Sequence, residues 1–76
     1  MSTLFFDVDA WVQHTIEVYF EEGGTDQPSD AEVIDLDGKL YVALCNVRGL
    51  LAVYQVQNGT LKALTTIPKA ITELYE

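Results

Sequence analysis

Asp37-Gly38, Arg48-Gly49 and Asn58-Gly59 fall at intervals of eleven and ten residues, and between them lie short runs of Val, Leu, Ala and Tyr. Asp-Gly and Asn-Gly tolerate the positive φ that a two-residue hairpin turn requires, so the turn chemistry itself sets a register. The spacing predicts an antiparallel meander of four strands near 32–36, 39–47, 50–57 and 60–66.

With two-residue turns, Val47 is expected opposite Leu50, Cys45 opposite Ala52, Ala43 opposite Tyr54 and Tyr41 opposite Val56. The last turn sets Val56 against Leu61, Tyr54 against Ala63 and Leu50 against Ile67, and the first sets Ile34 against Tyr41. Almost all of these residues are apolar and share one face, which a slip of one residue would scramble. That face is expected to receive a helix. The other face carries Val33, Leu40, Val42, Leu44, Leu51, Val53 and Leu64 inside a margin of Asp35, Asn46, Gln55, Gln57, Lys62 and Thr66. A solvated face would be mostly polar, so this one calls for a cover.

Upstream, Val8, Trp11, Val12, Thr15, Ile16, Tyr19 and Phe20 recur at i, i+3, i+4 with polar residues between them, which predicts an amphipathic helix. Asp7 suits its N-cap, Phe6 and Trp11 could form a hydrophobic staple, and Gly23-Gly24 stops it. β-Branched and aromatic residues also let Val12 to Phe20 fit strand alternation, but the helical period accounts for more of the segment. Residues 23–30, rich in Gly, Pro, Ser and Asp, read as a loop and as the segment expected to move most. Pro68 opens a short second helix striped by Ala70, Ile71, Leu74 and Tyr75. The expected fold is α+β: an N-terminal helix, a four-stranded antiparallel meander and a short C-terminal helix, in one domain spanning 1–76.

A domain of 76 residues buries only about 60% of its unfolded surface, and such domains often need a staple or a partner. Cys45 is the only cysteine, so no internal disulfide forms, and four-ligand zinc lacks its ligands. The 49% apolar content therefore directs attention to a partner surface. The start, Met1 to Phe6, has no Lys or Arg before its apolar residues, and no apolar run approaches the ~20 residues of a membrane span. A cytoplasmic protein with a free thiol is expected.

Charge is divided unevenly. All ten acids of the first 38 residues precede the first base, Lys39, giving that half −10; the second half carries +2, and the whole −8. A phosphate backbone is a poor partner for such a chain, because binding there comes from clustered Lys and Arg.

Motifs for chemistry are sparse. His14, the only histidine, has Glu17 three residues on but no paired nucleophile. Cys45 falls on a core face with no base expected beside it, which describes a packed thiol. Asp35-Leu36-Asp37-Gly38-Lys39 resembles part of a calcium loop, yet Val33 and Leu44 stand where that loop needs acids. Asp7 and Asp9 read as helix-start residues, Gly23-Gly24 follows a helix instead of opening a phosphate cradle, and the aromatic residues fall on core faces. No catalytic, cofactor or metal site is expected. The leading expectation is a non-enzymatic protein that self-associates as a homodimer through Leu44, Leu51 and Val53. The alternative is an acidic module or inhibitor that binds a basic protein through Glu17, Glu21, Glu22, Asp26 and Asp30. A small oligomeric enzyme, with a site shared between subunits around His14, is the third class.

Overall fold

The computed structural model describes residues 7–76. Helix α1 (Val8–Glu21) is followed by strands β1 (Asp30–Leu36), β2 (Lys39–Asn46), β3 (Gly49–Gln57) and β4 (Thr60–Ala63), then by helix α2 (Lys69–Leu74). The strands form one open antiparallel sheet in the order β1-β2-β3-β4. The α+β meander with a helix at each end is the architecture that the turn spacing predicts.

The ends of α1 follow from its sequence. Asp7 caps it, its Oδ1 accepting the Ala10 N–H at 3.2 Å. Phe6, the proposed partner of Trp11 in a staple, lies outside the described residues. At the other end the Gly23 N–H donates to the Phe20 carbonyl and the Gly24 N–H to the Tyr19 carbonyl, a Schellman closure with Gly23 at φ 98°. Gly24 is needed for a different reason: a Cβ there would lie 2.4 Å from the Tyr19 ring. The buried side of α1 centres on Thr15 and Tyr19, flanked by Ile16 and Val18; the Thr15 hydroxyl donates to the Trp11 carbonyl at 2.6 Å. Val8 and Phe20, expected in the buried stripe, are 48% and 42% exposed.

β1 pairs with β2 as expected, with Ile34 opposite Tyr41, and β3 pairs with β4 as expected, with Val56 opposite Leu61 and Tyr54 opposite Ala63. The central pairing differs. Asn46 faces Gly49, so the chain turns on Val47 and Arg48 instead of on Arg48 and Gly49. In the outer turns both central residues take positive φ, 52° and 81° at Asp37 and Gly38, 48° and 77° at Asn58 and Gly59. Arg48 cannot adopt that geometry without a steric cost that Gly escapes and Asp or Asn partly avoids. The turn therefore forms one residue earlier: Asn46 Oδ1 accepts the Arg48 N–H at 2.8 Å, and Gly49 follows at φ 121°. A bulge then shifts the ladder again, with Cys45 facing Leu50 but Leu44 facing Ala52, which leaves Leu51 as the additional residue.

Net displacement is one residue, and it exchanges the faces of one half of the sheet against the other. Tyr41 faces Gln55 instead of Val56, and Ala43 faces Val53 instead of Tyr54. The expected pairs of Val47 with Leu50 and Cys45 with Ala52 do not form, and Leu50 has no ladder partner in Ile67 because β4 ends at Ala63. Each face now mixes residues from both expected sets. On one, Val42, Leu44 and Tyr54 join Tyr19 of α1, with Ala31, Val33, Leu51, Ala52 and Val56 around them. On the other, Tyr41, Ala43 and Val53 join Ile71 of α2, with Ile34, Leu36 and Leu64 around them. The bulge lets consecutive Leu51 and Ala52 both serve the α1 side.

The long helix thus covers Val42 and Leu44, not the Tyr41–Ala43 face expected to receive it. The short helix covers the latter. Six residues do not hold a helix unaided; Ile71, with no exposed surface, contributes roughly 1.5–3 kcal/mol by burial. Leu74, expected in its buried stripe, is 64% exposed.

The loop 23–29 is tied down at several points. The Asp26 N–H donates to the Tyr19 hydroxyl, Asn46 Nδ2 to the Gln27 carbonyl, and the Ser29 N–H to the Cys45 carbonyl, while Pro28 is buried.

Two outcomes follow from this packing. Gly24→Ala should cost about 1–3 kcal/mol, because the Tyr19 ring must leave its seat; a urea unfolding series reads this directly. Leu44→Asp should leave the chain largely unfolded, since an unpaired buried carboxylate costs several kcal/mol against a total stability of roughly 5–15 kcal/mol. Val47→Asp, at a site 99% exposed, should leave circular dichroism and melting unchanged.

Candidate functional site

With both sheet faces covered, the surface is made by the outer side of α1, the loop after it, the strand edges and the turns. Leu44 and Val53 are not part of that surface. Leu44 lies beneath α1 and Val53 beneath α2, on opposite faces and 0% and 2% exposed, while Leu51 is partly buried beside the α1 cluster. The register shift separates the three residues that sequence alone groups into one patch.

The five acids expected on a partner surface, Glu17, Glu21, Glu22, Asp26 and Asp30, are exposed. On α1, helical spacing places Glu17 and Glu21 one turn apart on the side away from Thr15 and Tyr19. Glu22 follows at the C-cap, and Asp26 and Asp30 continue the series along the loop to the first residue of β1; all five are exposed. Among the described residues no carboxylate lies within 4.0 Å of a Lys or Arg nitrogen; Glu17 lies 3.9 Å from the imidazole of His14. Phe20, next in sequence to Glu21, is exposed, with its ring edge-on to Tyr19 at 5.3 Å. Sequence reasoning placed Phe20 in the core, and its position at the edge of the helical stripe was the available signal of its exposure.

The acids differ in what they do for the fold. Glu22 Oε1 accepts the Tyr54 hydroxyl at 3.5 Å, joining the end of α1 to the middle of the sheet. Asp30 Oδ1 accepts the Ala31 N–H at 2.9 Å. Glu21 makes no such bond, and it occupies the last helical turn, where the dipole disfavours negative charge and where α1 carries no base.

His14 is half exposed, edge-on to Trp11 at 5.8 Å, and it lines a shallow cleft of about 220 Å³ with Ala10 and Trp11. Those neighbours supply no nucleophile. Cys45 is partly buried on the α2 side of the sheet, opposite Asp30. Burial first, then the carboxylates of Asp30 and Glu32, push its thiol pKa up, which keeps it protonated and unreactive. The calcium-like stretch is a hairpin: Asp35 Oδ1 accepts the Gly38 N–H at 2.9 Å across the turn. Among the described residues no three His, Cys, Asp or Glu side chains are placed to hold a metal, and no helix is long and apolar enough to cross a membrane.

A larger cleft of about 330 Å³ opens between the N-terminal half of α1 and the chain entering β1, and it was not anticipated. Val8, Val12 and Ile16 form one wall, Pro28 and Ala31 the other, and Asp9, Ser29 and Asp30 complete it. Only the tertiary approach of residues 28–31 to α1 creates it, so no local pattern announces it.

Comparison with protein-family models, with curated proteins and with solved structures finds no match to this chain.

Two tyrosines report on the acidic surroundings. Burial, reinforced by the Glu22 carboxylate, pushes the Tyr54 phenol up to about 12. Burial and the hydrogen bond that Tyr75 donates to Glu32 raise Tyr75 as well. A phenol whose folded pKa lies above its unfolded value favours the fold fully at lower pH, and that contribution is lost as pH rises through the folded pKa. Stability should therefore fall between about pH 10 and 12. In Tyr54→Phe the fall should be shallower, as read by denaturant midpoints across that range.

Proposed function

We propose that the protein is a non-enzymatic binding module that engages a basic protein segment through the outer side of α1 and the loop 23–30, either as an adaptor or as an inhibitor. The observation that carries this reading is the exposed acids Glu17, Glu21 and Asp26, beside which, among the described residues, no Lys or Arg lies within 4.0 Å and the one nearby basic group is His14, 3.9 Å from Glu17. Fold stability does not account for it. Glu17 and Glu21 repel across one helical turn, and Glu21 opposes the helix dipole, terms worth a few tenths of a kcal/mol each. A surface held against its own repulsion is suited to steering an oppositely charged partner, and the exposed Phe20, next in sequence to Glu21, adds an apolar contact. The same charge repels a phosphate backbone. A cytoplasmic setting fits the free thiol of Cys45.

Self-association, the other reading, was motivated by an uncovered second sheet face. Ile71 of α2 packs on that face within one chain, and among the described residues the large apolar side chains left exposed are Val8, Phe20, Val47 and Leu74.

The test is affinity capture from the source organism at low and moderate ionic strength, comparing the native chain with a Glu17→Lys, Glu21→Lys, Asp26→Lys variant. Glu22 is left in place because it accepts the Tyr54 hydroxyl. The expected result is a basic partner bound by the native chain, weakened by salt, and lost from the variant, whose melting temperature is unchanged or higher. A partner indifferent to the reversals, or recovery of a second copy of this chain alone, would overturn the proposal, the latter in favour of self-association.

A further inference from the structure

We propose that the outer edge of β1 docks an extended segment of the basic partner, which adds antiparallel to the sheet and alternates apolar residues with Lys or Arg. The inference deepens the binding reading above, and rests on it, by naming the conformation and the pattern of the segment bound.

Strand order leaves β1 at one edge of the sheet, with β2 on its inner side. Leu36 and Lys39 flank a two-residue turn, so that pair and every second pair before it, back to Asp30 with Cys45, carry the bonds to β2. The N–H and C=O groups of Ala31, Val33 and Asp35 therefore point outward. The Ala31 N–H agrees with that direction, since Asp30 Oδ1 accepts it at 2.9 Å. An edge left open in this way is a template for another strand.

The side chains along that edge select the strand. Ala31 and Val33 face the α1 side with Val42 and Leu44, and Ala31 also lines the cleft of about 330 Å³ beside Val12 and Ile16. Asp30 and Glu32 face the α2 side, Asp30 opposite Cys45 and Glu32 opposite Ala43, where both carboxylates help to raise the Cys45 thiol. Side chains of an added strand alternate in the same way. Those opposite Ala31 and Val33 lie on the apolar side, by the cleft, and those opposite Asp30 and Glu32 lie beside carboxylates. A segment with apolar groups on one side and cations on the other matches both. β1 carries three acids and no base, so the β1 edge of a second copy is repelled. β4, the other edge, spans four residues and has no acid, so it lacks this complementarity.

The experiment is NMR amide exchange and titration of the full chain with the peptide acetyl-Val-Lys-Val-Lys-Val-amide. In the free chain the outward Val33 amide should exchange at least about ten-fold faster than Glu32 and Ile34, which bond to β2. Saturating peptide should slow Val33 by at least about ten-fold. In antiparallel pairing the valine nitrogens of the peptide face β1 and the lysine nitrogens face away. Methylating the central valine nitrogen should therefore weaken binding at least about ten-fold, and methylating a lysine backbone nitrogen by no more than about three-fold. Val-Val-Lys-Lys-Val, which breaks the alternation, and Val-Glu-Val-Glu-Val, which reverses the charge, should each bind at least about ten-fold more weakly. Asp30→Asn with Glu32→Gln should weaken the peptide about ten-fold. That variant should melt as the native chain does, because its amide oxygens still accept the Ala31 N–H and the Tyr75 hydroxyl.

A Val33 amide already protected in the free chain at every concentration would show the edge covered by the chain itself. Protection that grows with concentration would show it taken by a second copy. Either overturns the proposal, as does equal binding of the unalternated peptide or equal loss from the two methylations. Failure of the broader reading is separable. A basic partner captured equally well by the native chain and by the Asp30→Asn, Glu32→Gln variant would refute the β1 edge and leave the acidic surface of α1 intact. Peptide bound along β1 of a chain that captures no basic partner would refute the binding function instead.

Discussion

The turn at Asn46–Gly49 decides which way each half of the sheet faces. Its geometry rests on one side chain: the Asn46 carboxamide accepts the Arg48 N–H through Oδ1 and donates through Nδ2 to the Gln27 carbonyl. The first bond places the reversal on Val47 and Arg48, where neither residue needs positive φ. The second joins that turn to the loop leaving α1. Because side chains alternate along a strand, the one-residue displacement that results determines the contents of both cores. Val42 and Tyr54 come together under α1, and Ala43 and Val53 under α2. The position of each helix, and the surface each leaves outside, depend on that pairing.

Much of this was legible from local chemistry. Asp7, Gly23-Gly24, Asp37-Gly38 and Asn58-Gly59 each act over a few residues, and each does what its residue type favours. The outer registers follow from those turns. Arg48-Gly49 misleads because only its second residue accepts positive φ, and the competing Asn46 bond lies just outside the dipeptide that draws the eye. The central strands β2 and β3 being largely apolar on both sides removed the usual correction: a mistaken register still produced one uniformly apolar face. The acidic row was readable as composition and helical period, while the cleft was not, because Pro28 and Ala31 meet Val12 and Ile16 only after the sheet and the helix have packed.

The same pairing gives so small a chain, whose single cysteine allows no internal disulfide, a core on each side of its sheet. Two thin cores share one sheet, with Val42, Leu44 and Tyr54 on one side and Tyr41, Ala43 and Val53 on the other. A face covered by a single buried isoleucine on a six-residue helix is modest cover, but Tyr75 extends it, reaching from the end of α2 to donate to Glu32 on β1. Tyr54 makes a comparable link to Glu22 on the other side. Each helix is thus fastened to the sheet at its C-terminal end by a phenol and a carboxylate. Some of the chain's acids are therefore structural.

That division sharpens the functional argument. Glu22 and Glu32 have partners in the fold, Asp7 caps a helix, and Asp35 closes a turn. Remove these from the acidic half and Asp9, Glu17, Glu21, Asp26, Asp30 and Asp37 remain, of which Glu17 and Glu21 lie one turn apart on the outer side of α1. Solubility alone asks for charge somewhere on a surface; it does not ask for like charges one turn apart at the end of a helix whose dipole opposes them. A cationic partner would relieve their mutual repulsion on binding, so the local cost carried by the free protein becomes part of the driving force for the complex.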